Sequence, residues 1–130
     1  MKYEYWFTLC CFIFFMQSCT SDRVKDIGEG YFYRDEGGDI KDILSENLNG
    51  GEIPATVLNF AYDSKFIIAK QKPKLPQDIL YKRDYKYKTH NDEFYWIIIK
   101  VNNIVLGPLD KQEYITMRLK YRIPNDLILE

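Results

Sequence analysis

The residues able to do chemistry are few and unevenly placed. All three cysteines of the 130-residue chain, Cys10, Cys11 and Cys19, lie in its first nineteen positions. The single histidine, His90, sits in the polar run Lys88-Thr89-His90-Asn91-Asp92, which reads as a solvated loop. The serines after Cys19 are Ser21, Ser45 and Ser64, and none stands in a Gly-x-Ser-x-Gly elbow. There is no histidine pair at metal spacing, no cysteine cluster in the body of the chain, and no Gly-x-x-x-x-Gly-Lys loop to cradle phosphate. Asp35, Glu36, Asp39 and Asp42 crowd one segment and offer the oxygen ligands that Ca²⁺ takes. Their spacing fits no calcium loop, however, and Gly37-Gly38 explains the segment as a turn. The expectation is a non-catalytic domain that needs no metal or cofactor to fold.

Charge is the stronger signal. The chain carries 18 Lys+Arg against 19 Asp+Glu, a net of -1, which excludes a broadly basic nucleic-acid binder. The distribution is split. Residues 19–52 hold nine acids and four bases, and residues 70–88 hold seven bases and two acids. The basic stretch also carries Tyr81, Tyr85 and Tyr87. In an extended segment, alternation puts these tyrosines and Arg83 on one face and Lys82, Asp84, Lys86 and Lys88 on the other. Two readings follow. One is a docking surface for an anionic protein or glycan, with tyrosines as flat anchors. The other is an edge strand whose tyrosines pack on the sheet and whose lysines block edge-to-edge association.

The N-terminus reads as an address. A short head with a net charge of about +1 precedes an apolar run of ten, Phe7 to Met16. A membrane-spanning helix needs about 20 apolar residues, so the run fits a signal peptide better than an anchor. Met16-Gln17-Ser18-Cys19 resembles a bacterial lipobox, with Gln17 departing from the usual small residue. The resemblance implies cleavage before Cys19, diacylglycerol on its thiol, and an acyl chain such as palmitate on its amine. The mature chain then has one cysteine, so no internal disulfide is expected. Thr20 at the following position lacks the aspartate that retains some lipoproteins in an inner membrane, which favours the outer membrane, on its periplasmic or surface face.

The elements that must position these residues are mostly strands. Apolar residues make up 46% of the chain and aromatics 16%, enough for one folded domain and too much for a disordered one. Residues 19–27 read as the lipidated cysteine and a tether, and 28–130 as a single domain. Strands are expected at Tyr31 to Arg34, Asp39 to Leu44, Ile53 to Tyr62, Lys65 to Lys72, Glu93 to Val101 and Ile104 to Gly107, joined by hairpin turns and ended by Pro108. Asp110 with Glu113 forms a capping box for a helix over Lys111 to Arg122, stopped by Pro124. The fold class is α+β: an antiparallel sheet of about six strands in hairpins with one C-terminal helix packed on it.

Several of these segments carry a family likeness. They are Gly30-Tyr31, the run Tyr62-Asp63-Ser64-Lys65-Phe66-Ile67-Ile68-Ala69-Lys70-Gln71, then Tyr95-Trp96-Ile97-Ile98, Gly107-Pro108-Leu109 and Glu113-Tyr114. Together they resemble a family of small, uncharacterised bacterial lipoproteins, domain of unknown function 3997. The resemblance spans nearly the whole mature domain and implies an exported, lipid-anchored module with no activity to carry over. Trp96, Gly107-Pro108 and Glu113 also loosely resemble the GYF-like binding modules. The expected function is therefore a lipid-anchored, non-catalytic envelope module that binds a protein or glycan. The alternatives are an inhibitor or immunity-type protein acting on an envelope enzyme, and a small carboxylate-based hydrolase.

Overall fold

The computed structural model describes residues 23–130. Cys10, Cys11, Cys19 and the whole segment expected to be a signal peptide lie outside the described residues. Among the described residues, seven strands form two antiparallel sheets. In the first, β1 (Arg23–Gly28), β2 (Tyr31–Asp35) and β3 (Lys41–Ser45) lie in the order β1-β2-β3. In the second, β4 (Val57–Tyr62), β5 (Phe66–Gln71), β6 (Phe94–Ile99) and β7 (Ile104–Leu109) lie in chain order. Helix α1 (Lys111–Lys120) follows.

The four-stranded sheet is covered on both faces, which explains why β5 and β6 read as continuous apolar runs rather than alternations. Val57, Ile67, Ala69, Trp96 and Ile98 of this sheet pack with Ile27, Tyr31 and Ile43 of the three-stranded sheet and with Ile53, which bridges to Ile43. On the opposite face Phe66, Ile68, Ile97 and Ile99 pack with Leu109, Tyr114 of α1, and Ile123 and Leu127 beyond it. The layers are sheet, sheet, helix. The sheets are joined at one end by Lys100, which is buried and donates from Nζ to the Ile27 carbonyl and, at 2.6 Å, to the Asp63 carbonyl. Burial holds this ammonium below the ordinary lysine range. At the other end Thr56 Oγ1 donates to the Asp39 carbonyl.

Four local features differ from the sequence reading. Arg23–Ile27, read as tether, belongs to β1, so there are seven strands rather than six and two sheets rather than one. β1 is an edge strand whose first four residues are exposed, so it lacks the alternation that marks a strand. The Tyr81 to Lys88 segment is not a strand; it runs irregularly over the sheets. Pro108 lies inside β7 rather than ending it, because β7 is an edge strand and a missing N–H there breaks no ladder. Finally, α1 ends at Lys120, and Arg122 takes a left-handed φ of 54° that turns the chain out of the helix. The capping box forms as expected, with Glu113 N–H donating to Asp110 Oδ1 at 2.8 Å and Asp110 N–H to Glu113 Oε1 at 3.2 Å.

Candidate functional site

The basic, tyrosine-rich segment between β5 and β6 is a strap fastened by its tyrosines. Tyr81 donates its hydroxyl to Asp42 Oδ2 at 2.7 Å and accepts from the Ala55 N–H at 2.9 Å. Asp42 is fully buried and also holds Arg34 through two hydrogen bonds, of 3.0 and 2.7 Å. Tyr85 donates to Glu52 Oε2 at 3.0 Å and meets the Trp96 ring edge-on, with centroids 5.1 Å apart. The same Glu52 oxygen accepts the backbone N–H groups of Lys82 and Arg83 at 2.7 and 3.3 Å. Tyr87 accepts from Gln71 Nε2 at 3.0 Å, and Gln71 in turn accepts from Trp96 Nε1 at 2.6 Å.

The tyrosine face of the strap is therefore the inner one. A buried phenol needs an acceptor or donor, and Asp42, Glu52 and Gln71 supply them. Of the two sequence readings, tyrosines packed on the sheets match the structure, though without a strand. Tyrosines standing as flat external anchors do not. Alternation fails at Arg83, which is exposed although it shares parity with the tyrosines.

The basic side chains divide by what they touch. Lys88 Nζ bridges Asp110 Oδ2 at 3.2 Å and Glu113 Oε1 at 2.7 Å, closing the strap onto the start of α1. Lys82 Nζ donates to the carbonyls of Gly50 at 2.9 Å and Asn47 at 3.3 Å. Arg83 and Lys86 are exposed, and their side chains form no ion pair among the described residues.

Beneath Arg83 lies a cleft of about 430 Å³, walled by Gly50 to Glu52 on one side, Lys82, Arg83 and Tyr85 on another, and Asn103, Val105 and Gly107 of the β7 arm on the third. Two glycines give it its shape. A Cβ on Gly51 would stand 2.0 Å from Val105 Cγ2, and one on Gly107 would stand 2.4 Å from Trp96 Cε3. Gly51 N–H donates to the Tyr31 hydroxyl, which donates to Asn103 Oδ1, both at 2.9 Å. The sequence reading missed Glu52, Asn103 and Gly51, because no local pattern marks residues that converge only through the packing of two sheets.

The carboxylates read as a calcium candidate are used otherwise: Asp42 pairs with Arg34, Glu36 also pairs with Arg34 at 3.1 Å, and Lys74 lies 3.5 Å from Asp39. Among the described residues no group of three or more histidine, cysteine, aspartate or glutamate side chains is arranged to hold a metal ion. No described helix is long and apolar enough to cross a membrane. His90 is exposed.

The strap makes an alkaline prediction. Burial raises the pKa of Tyr81, and its bond to Asp42 raises it further. Burial likewise raises Tyr85, reinforced by the Glu52 charge and hydrogen bond, and it raises Tyr31 and Tyr87. A phenol whose folded pKa is raised contributes stability that is complete below the ordinary value of 10.0 and is lost as pH climbs through the folded value. Stability is therefore expected to fall from about pH 10 upward. The late part of the phenolate absorbance should rise together with loss of the near-ultraviolet circular dichroism. Ionisation of every tyrosine near the ordinary value, with the fold intact, would contradict this.

No curated protein and no solved structure matches the chain. A family model does, over residues 29–130, which takes in six of the seven strands, the strap, the cleft and the helix. The chain belongs to that family, described as protein of unknown function DUF3997.

Proposed function

We propose that the protein is a non-catalytic cell-envelope module, held on a membrane by lipid at Cys19, that binds an anionic protein or glycan along the Arg83–Lys86 ridge and the cleft beneath it. The observation that carries the binding reading is the state of those two cations. Lys82 and Lys88 are spent on carbonyls and on the helix start, whereas Arg83 lines the concavity and is exposed, and Lys86, three residues further along the strap, is exposed as well. Arginine presents a planar fork suited to carboxylate, sulfate or phosphate groups. Hydrolysis by paired carboxylates is less well supported: that chemistry needs two carboxyl groups facing each other across a cleft, and here Glu52 is the one carboxylate in the lining. The membrane part of the reading is supported by the apolar run and the cysteine placement in the sequence.

The test uses the purified full chain on an array of sulfated or carboxylated glycans and acidic peptides, beside an Arg83→Gln/Lys86→Gln variant. The variant is expected to associate about tenfold more slowly at low salt, with little change in dissociation, and the difference should shrink as salt screens the charges. Equal association rates at low and high salt would move the binding surface elsewhere.

A further inference from the structure

The undescribed N-terminal chain enters the domain at a definite place. β1 begins at Arg23, which pairs in register with Asp35, so the entry point lies beside the β2–β3 turn. The stretch after β5 packs on that turn. Lys74 reaches Asp39, and Pro76 and Leu80 share a hollow of about 200 Å³ with Glu36 and Ile40. The loop Leu75–Leu80 therefore stands at the end of the molecule where the chain enters. Its apolar side chains face outward: Ile79 is 96% exposed, Leu80 75% and Leu75 43%. The opposite end carries Lys100, the Asp63 turn and the exposed Val101.

Cys19 precedes Arg23 by four residues, a reach of about 14 Å. Lipid at Cys19 thus brings this end of the domain, and not the other, against the bilayer. We infer that Ile79 and Leu80 insert into the interfacial layer of that bilayer, making a second contact that fixes how the domain stands on the membrane. The inference rests on the anchoring reading above and adds the surface that meets the lipid. Taking exposed isoleucine and leucine out of water is favourable, and a lipid anchor supplies the proximity that lets a small apolar contact persist. The charges nearby are mixed, with Arg23, Lys72 and Lys74 against Asp35, Glu36 and Asp78. The contact is therefore apolar in origin and indifferent to salt, unlike the proposed docking at Arg83 and Lys86.

The test is a depth measurement on the full-length protein reconstituted in phosphatidylcholine vesicles that contain nitroxide-labelled lipid. Ile79→Cys and, separately, Val101→Cys are labelled with a fluorophore; both side chains are exposed, so neither change disturbs the core. The mass of the purified protein is read first, because cleavage before Cys19 removes Cys10 and Cys11 and acylation consumes the Cys19 thiol, which leaves the introduced cysteine to be labelled. In acylated protein, quenching at position 79 is expected to exceed that at position 101 about threefold and to survive high salt, as for side chains seated at the headgroup boundary. Equal quenching at the two positions in acylated protein, or quenching abolished by salt, overturns the inference alone. A mass without acyl groups overturns the anchoring reading, and the inference with it.

Discussion

Asp42→Ala is expected to destabilise the fold by about 3–4 kcal/mol, because removing the fully buried partner of an ion pair leaves the other with weaker compensation. The carboxylate is fully buried and takes two bonds from Arg34 and one from the Tyr81 hydroxyl. Its loss leaves a largely covered guanidinium with Glu36 alone, 3.1 Å away, and a phenol whose remaining partner is the Ala55 N–H. It also cuts the tie between β3 and the strap, so the damage reaches beyond one strand. Urea unfolding followed by Trp96 fluorescence measures the loss. Tyr81→Phe removes only the hydroxyl and should cost about 1–2 kcal/mol. The double variant should fall short of the sum, since both changes delete the same bond. Strict additivity would show that Tyr81 and Asp42 are not coupled.

Glu52→Ala is expected to be nearly as severe, at about 3 kcal/mol, and more local in its signature. One carboxylate oxygen, Oε2, receives the Tyr85 hydroxyl and the backbone N–H groups of Lys82 and Arg83. Alanine leaves three donors to find water and frees the middle of the strap from the cleft wall. Amide exchange at Lys82 and Arg83 should then quicken far more than exchange in β5 or β6, because the strap opens at lower free energy than the sheet. Glu52→Gln keeps an acceptor oxygen and should retain part of the protection. Unchanged exchange at residues 82 and 83 in the alanine variant would mean that other contacts hold the strap.

The two variants also bear on the cleft. Lys82, Arg83 and Tyr85 form one wall, so its shape depends on Glu52, which also lines it, holding those residues in place. A partner that binds at the Arg83–Lys86 ridge should therefore dissociate faster from Glu52→Ala, although Glu52 is almost wholly buried. In the proposed reading the exposed bases set association and the buried carboxylate sets the geometry they work from.

The sequence by itself determined the elements whose signals are local. Within the Glu93 to Val101 run, Phe94–Ile99 is aromatic and β-branched without a break, and it forms β6. Asp63-Ser64 sits between two apolar runs, and Asp63 Oδ1 takes the N–H groups of Lys65 and Phe66 to close that turn. The Asp110–Glu113 capping box is a contact between residues three apart, so it is written in the chain itself. β1 was not legible for the opposite reason: it is charged and exposed, and only its pairing with β2 makes it a strand. Only the tertiary structure decided which way the strap faces. Tyr81, Tyr85 and Tyr87 alternate with charges equally well on an outer or an inner face. The choice turns on Asp42 and Glu52, which stand 39 and 33 residues away in the chain from the tyrosines they hold. A phenol beside a buried carboxylate satisfies both groups, and a phenol left in water satisfies one and strands the other. That balance exists only once two sheets have brought the partners together, so neither the strap nor the cleft it walls could be read from spacing.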